Sequence, residues 1–255
     1  MRAALRTLAA SVFLWTHAPS VVAAPPSLAP TPSQKTAVPP DAGIPLWAPC
    51  GREQAERWDA ASDRDGRAAL LAAACHAYLV ERGGGDRKSQ IEDARRGRKA
   101  AGIAVGAFPG SGVAHYLSAY LAGLEADRVP WRGLGLVSVI ENEALMAAER
   151  NPRLDHAGPD RMLGELYLRA PSYPISVGNR GKALSHYRRA VTLDPDFIGN
   201  RLGLAEALAE NDHRAEACDE LSRLPREMPP GAEERPAWEK AYSLRDRLCA
   251  PAGMR

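Results

Sequence analysis

The stretch 183–195, ALSHYRRAVTLDP, decides the fold. Its Ala183, Tyr187, Ala190 and Pro195 return 34 residues later as Ala217, Leu221, Leu224 and Pro229. Residues three and four apart share one face of a helix, so Ala183, Tyr187 and Ala190 form an apolar stripe. A 34-residue period is that of a helix–turn–helix unit. One such unit cannot bury its apolar face alone, so units stack into a solenoid with a concave surface that binds something. The pattern predicts a binding scaffold rather than an enzyme.

Away from this stretch the chain keeps the same character from Arg52 onward. Apolar and alanine positions recur at three and four residues, and no run of alternating β-branched residues appears. Helices are predicted near 52–62, 65–81, 88–102, 112–126, 134–150 and 159–169, with a last one near 233–248 that caps the solenoid. Gly83-Gly84-Gly85 ends the second without steric cost. The Gly-rich turn from Gly106 to Gly112 lacks the Lys-Ser/Thr and the preceding strand of a phosphate loop, and reads as an interhelix turn. The fold class is therefore all-α, about ten helices in antiparallel pairs.

The N-terminus has a different composition. Arg2 and Arg6 precede an apolar run from Leu8 to Trp15, and Val21 and Ala23 are small residues at a cleavage spacing. This reads as a signal peptide over 1–23, cut after Ala23, which predicts a periplasmic or otherwise exported protein. The apolar run is too short to span a bilayer. Eight prolines crowd residues 24–49, which predicts a disordered linker ahead of a helical domain at 50–255. A net charge of +2 on 255 residues gives no strong single-sign field, so neither nucleic acid nor a membrane surface is favoured as a partner. Cys50, Cys75, Cys218 and Cys249 are even in number in a chain read as exported, and three pairings are open. Sequence-local pairing would staple the two ends of the solenoid; four free thiols is the other reading.

Two repeat units stand out, at 158–195 and 198–229. The first carries Leu163, Gly164, Tyr167, Ala183, Tyr187, Ala190 and Pro195, and the second Leu204, Ala205, Leu208, Ala217 and Leu221. These positions resemble a tetratricopeptide repeat. From Ala205 to Ala217 the spacing is twelve residues, but from Gly164 to Ala183 it is nineteen, and the surplus falls in the segment 170–180. That segment either packs over the end of its helix pair or projects to a partner. The strings 155–171 (DHAGPDRMLGELYLRAP) and 200–206 (NRLGLAE) also resemble the T-component family of TRAP transporters, and tetratricopeptide proteins ascribed to TonB-type systems. The resemblance covers roughly residues 112–225. It implies a periplasmic helical protein that associates with a solute-binding protein or another envelope transport component. This chain departs from many such members in lacking a lipoprotein cysteine.

The expected binding residues lie on the first helix of each pair, which lines the concave face. They are His115, Tyr116, Tyr120, Arg161, Glu165 and Arg201. Arg161 and Arg201 either grip a carboxylate through paired hydrogen bonds or remain solvated. Tyr116 and Tyr120, one turn apart, either face the groove or belong to the core. Asn200 and Glu206 are candidates for a polar link between units. Glu141 and Glu143 are two apart and face different directions, so they do not make a catalytic pair. No C-x-x-C, no His at ligand spacing and no nucleophile signature is present, so no metal, no cofactor and no catalytic residue is expected. The function that follows is protein–protein scaffolding. The alternative is a carrier holding a small hydrophobic ligand between helix pairs.

Overall fold

A computed structural model describes residues 43–227 and 234–249. Among them are ten α-helices: α1 Arg52–Ser62, α2 Gly66–Arg82, α3 Arg87–Ala107, α4 Gly112–Arg128, α5 Pro130–Arg150, α6 Leu154–Arg169, α7 Arg180–Leu193, α8 Ile198–Glu210, α9 Arg214–Ser222 and α10 Arg235–Cys249. No strand occurs among the described residues; Ser172 and Gly178 form one isolated bridge. The chain is an all-α, tetratricopeptide-like solenoid. The signal peptide expected over 1–23 and most of the linker expected over 24–49 lie outside the described residues, as does Pro229.

The stacking follows from which helices touch. Each helix packs on the next in sequence, and α2, α4, α6, α8 and α10 also touch one another in succession. Of the odd-numbered helices only α1 and α3 meet in this way. The even helices are therefore crowded together while the odd ones splay apart, so the even layer lines the inside of the curve.

Small residues permit this crowding. In the N-terminal half, Ala69, Ala72, Ala73, Ala77, Ala101, Ala104 and Ala114 are buried where α2, α3 and α4 meet. In the C-terminal half, Tyr187 of α7 inserts between α6 and α8 against two glycines. A Cβ on Gly164 would come 2.7 Å from its ring, and one on Gly203 would overlap the ring outright. Both glycines are therefore required by close approach rather than by backbone angle. Leu163, Tyr167, Ala183, Ala190, Leu204, Ala205, Leu208, Ala217 and Leu221 are all buried. α10 lays Ala241, Trp238 and Leu244 over the last pair.

Three local readings change. The stretch from Gly43 to Pro49 is not free linker: Ile44 is buried, and Leu46 and Trp47 pack on the N-terminal core. α5 begins at Pro130 rather than near 134, because proline fits the first helical position, where its missing N–H costs nothing. α6 formally begins at Leu154, but Asp155, His156 and Ala157 have φ of 48°, 57° and 62°, so the regular helix starts after this left-handed turn. Two disulfides close, Cys50 to Cys75 and Cys218 to Cys249, one at each end of the helical stack. The segment 170–180 divides its roles. Val177 packs inward and Gly178 N–H bonds the Pro171 carbonyl, closing the base, whereas Tyr173 and Ile175 are 88% and 70% exposed at the tip.

Candidate functional site

The even helices present three joined cavities along the inner face. The central one, about 460 Å³, is walled by α4 (Tyr116, Tyr120, Asp127), α6 (Arg161, Met162, Glu165) and α8 (Leu202, Glu206), with Lys240 of α10 at one end. A more apolar cavity of about 540 Å³ continues between α4, α5 and α6 over Leu134, Val137, Ile140 and Leu166. The two share Gly123, Asp127, Met162 and Glu165. On the other side a third of about 470 Å³ shares Tyr120 and Arg161 and is bounded by Trp47, His156 and Phe197. Together they form a groove crossing three helix pairs.

Its middle is fixed by a polar network that starts at the left-handed turn. The Asp155 carboxylate accepts from Trp47 Nε1 at 2.8 Å, from the Tyr116 hydroxyl, and from Arg161 Nη2 at 2.9 Å. Arg161 also donates to the carbonyls of Asp155 and His156 and to Asn200 Oδ1. The Asn200 amide in turn donates to the carbonyls of His156, Ala190 and Asp194. Phe197 stacks on His156, and the Arg161 guanidinium lies over its ring. Three consecutive residues with positive φ are costly for side chains other than glycine, and this web of bonds holds them there. His156 also bonds the Asp194 carboxylate; burial pushes that carboxyl up, but the bond and charge of His156 together with the main-chain N–H groups of Phe197 and Asp196 hold it below its ordinary value.

The groove tyrosines are un-ionised hydrogen-bond donors. Burial, reinforced by Asp155, pushes Tyr116 well above its ordinary value. Burial and nearby Glu81 do the same to Tyr120. Tyr187 is raised by burial and by Glu165, whose carboxylate accepts its hydroxyl at 2.9 Å. The wall charges are mostly paired: Arg169 joins Glu165 and Glu206, and Lys240 joins Glu206 at 2.9 Å.

Of the six residues expected on the concave face, Tyr116, Tyr120, Arg161 and Glu165 line the groove together. His115 does not: it is buried beneath, between Glu143 at 2.6 Å and the Pro109 carbonyl at 3.0 Å. Arg201 is also absent, tied to Glu220 at 2.8 Å on another side of α8. Arg161 lines the groove, but four hydrogen bonds occupy both terminal nitrogens, so it organises the wall rather than offering a bidentate grip. Asn200 and Glu206 do link units, separately: Asn200 joins the left-handed turn at the start of α6 to the end of α7, and Glu206 joins α6 to α10. Glu141 and Glu143 bond different partners, Tyr167 and His115. Gly123, Asp127 and Met162 were missed by the sequence reading. Their signal is helical spacing: 116, 120, 123 and 127 on α4, 158, 161, 162 and 165 on α6, and 199, 202, 203 and 206 on α8 repeat one face three times. Among the described residues, no group of three His, Cys, Asp or Glu is placed to hold a metal ion.

Residues 175–239 match the family described as a tetratricopeptide repeat, the segment that runs from the closed loop through α7, α8 and α9 into α10. No curated protein matches the chain.

Proposed function

We propose that this chain is an exported, non-enzymatic scaffold that holds an extended segment of another protein in the groove of its even helices. The observation that supports this most is the continuity of the groove across three helix pairs, with Gly123 and Asp127 common to the central and apolar cavities. An open trough suits a chain segment, which lays side chains into successive pockets. Export is supported by two closed disulfides, which persist in oxidising compartments, and by the signal-like residues 1–23. No helix among the described residues is long and apolar enough to cross a membrane. The place we propose for it is accessory to an envelope transport system of TRAP or TonB type, on the likeness of residues 112–225; its partner there is a solute-binding protein or a transport component.

The apolar cavity over Val137, Ile140 and Leu166 favours a second reading, a carrier of a small hydrophobic ligand. One experiment separates the two. A photocrosslinking residue is placed in cells at Gly123, in the groove, and at exposed Lys99 as a control. A protein captured from Gly123 and not from Lys99, and identified as an envelope component, supports the scaffold. No capture, with a lipid or other small apolar molecule co-purifying, replaces it with the carrier.

A further inference from the structure

Of the charged side chains lining the central and apolar cavities, Asp127 is the most exposed. Arg161 is committed to Asp155, Arg169 to Glu165 and Glu206, and Lys240 to Glu206. Asp127 lines both the central and the apolar cavity, and its side chain is 82% exposed. The cation beside it is Arg128 at 3.5 Å, whose guanidinium already donates to Gln90 and to the Leu124 carbonyl. Next to it, the apolar cavity opens past Leu134, which is 56% exposed. Gly123, at the junction of the two cavities, leaves space: a Cβ built there meets nothing within 4 Å. The floor thus has room for backbone or a bulky side chain to approach α4 closely.

We propose that the occupant is an extended peptide segment bearing a lysine or arginine within about two residues of a bulky apolar side chain. The cation faces Asp127, and the apolar group fills the cavity of Leu134, Val137 and Ile140. This rests on the reading of the groove as a peptide site and names the chemistry it selects. The apolar group supplies most of the binding, because burying a Leu- or Phe-sized side chain outweighs a solvent-exposed ion pair. The charge supplies discrimination: an acidic residue at the same place meets a like charge.

The test is a panning of random heptapeptides, acetylated and amidated, against the full chain, followed by fluorescence anisotropy on the enriched sequences. The expected pool is rich in Lys or Arg close to Leu, Ile, Phe or Met. Replacing that basic residue with Glu weakens binding at least about threefold at low salt, the scale of an exposed pair, and less at high salt. Asp127→Asn removes the preference, and Asp127→Lys reverses it. Unchanged helicity and urea midpoint confirm that the Asp127 variants are folded. Peptides that bind with no basic enrichment, or a preference that persists in Asp127→Lys, overturn this chemistry while leaving a peptide groove standing. If no peptide is enriched at all, the groove reading fails, and this inference fails with it.

Discussion

Glycine at 164 and 203 and glycine at 123 look alike in sequence, yet the space around each is opposite. Tyr187 fills the room beside the first two, and its hydroxyl is anchored on Glu165, so the ring cannot swing away freely. Gly164→Ala or Gly203→Ala should each destabilise the fold by about 1–3 kcal/mol, the ordinary cost of overpacking. Gly123→Ala meets open space within a helix, and replacing glycine there should stabilise by up to ~1 kcal/mol. Urea midpoints of the three variants measure this, and a common sign for all three would refute the assignment. Asn200 is the second residue whose role is clear from its surroundings. It is fully buried and satisfies three main-chain carbonyls and Arg161. Asn200→Ala orphans those groups and should cost about 1–3 kcal/mol; a loss below about 0.5 kcal/mol, the scatter of an ordinary surface change, would show that water takes its place.

Helices α3, α4 and α5 are joined by charge as well as by packing. Glu125 of α4 has no exposed surface and receives Arg98 at 2.8 Å and Arg95 at 3.2 Å from α3, with Arg132 of α5 at 3.7 Å. Burial alone would raise its carboxyl, but the bonds from Arg98 and Arg95 prevail and hold it below its ordinary 4.5. A carboxyl lowered on folding contributes stability that is complete above its unfolded value and is lost as pH falls through the folded one. Stability should therefore be flat from neutral pH to about 4.5 as far as this group decides, then decline in more acid solution. In Glu125→Gln the neutral-pH stability should be lower and the acid decline shallower, as read from urea midpoints across the pH range; an unchanged decline would acquit the cluster. Asp93 behaves alike: burial pushes it up, and bonds from His76 and Arg52 bring it below the usual range. Neither cluster was legible beforehand. Arg95 and Arg98 belong to a basic run on α3, and nothing in its spacing reveals that a carboxylate 27 residues on from Arg98 is buried against it. What was legible was periodic. The spacing of Leu163, Tyr167, Tyr187 and Ala205 marks helix faces, and helix faces fix which layers pack. The left-handed turn at Asp155–Ala157 was invisible because its stabilising partners, Trp47, Tyr116 and Asn200, come from four separate parts of the chain once Arg161 is included. The docking of Ile44, Leu46 and Trp47 was hidden by the surrounding prolines, which spoke for a linker although three large apolar residues lay among them.

A solenoid has no central core, so its ends are its weak points: each repeat is held by its neighbours, and the terminal ones have a neighbour on one side only. Both disulfides lie where that weakness is. Cys50–Cys75 ties the segment before α1 to α2, and Cys218–Cys249 ties α9 to the end of α10. The second bridge acts with other contacts. The Trp238 indole and the Tyr242 hydroxyl both donate to the Pro225 carbonyl, Arg214 donates to the Leu248 carbonyl, and Lys240 reaches back to Glu206 in the groove. The cap therefore completes the groove wall as well as covering the last pair. Closing loops with sequence separations of 25 and 31 residues should contribute about 3–4 kcal/mol each by chain entropy, comparable to the stability of a few stacked helices. In a quasi-one-dimensional fold this loss is felt locally. Amide exchange read by mass spectrometry, with and without reductant, should show faster exchange in α1 and in α9 and α10, while the buried turns of α4 and α6 keep their protection. Cys218→Ser with Cys249→Ser should reproduce the C-terminal half of that pattern alone, and should weaken any ligand that touches Lys240. Uniform acceleration along the whole chain would instead mean that the stack unfolds as one unit, and that the bridges stabilise it globally rather than pinning its ends.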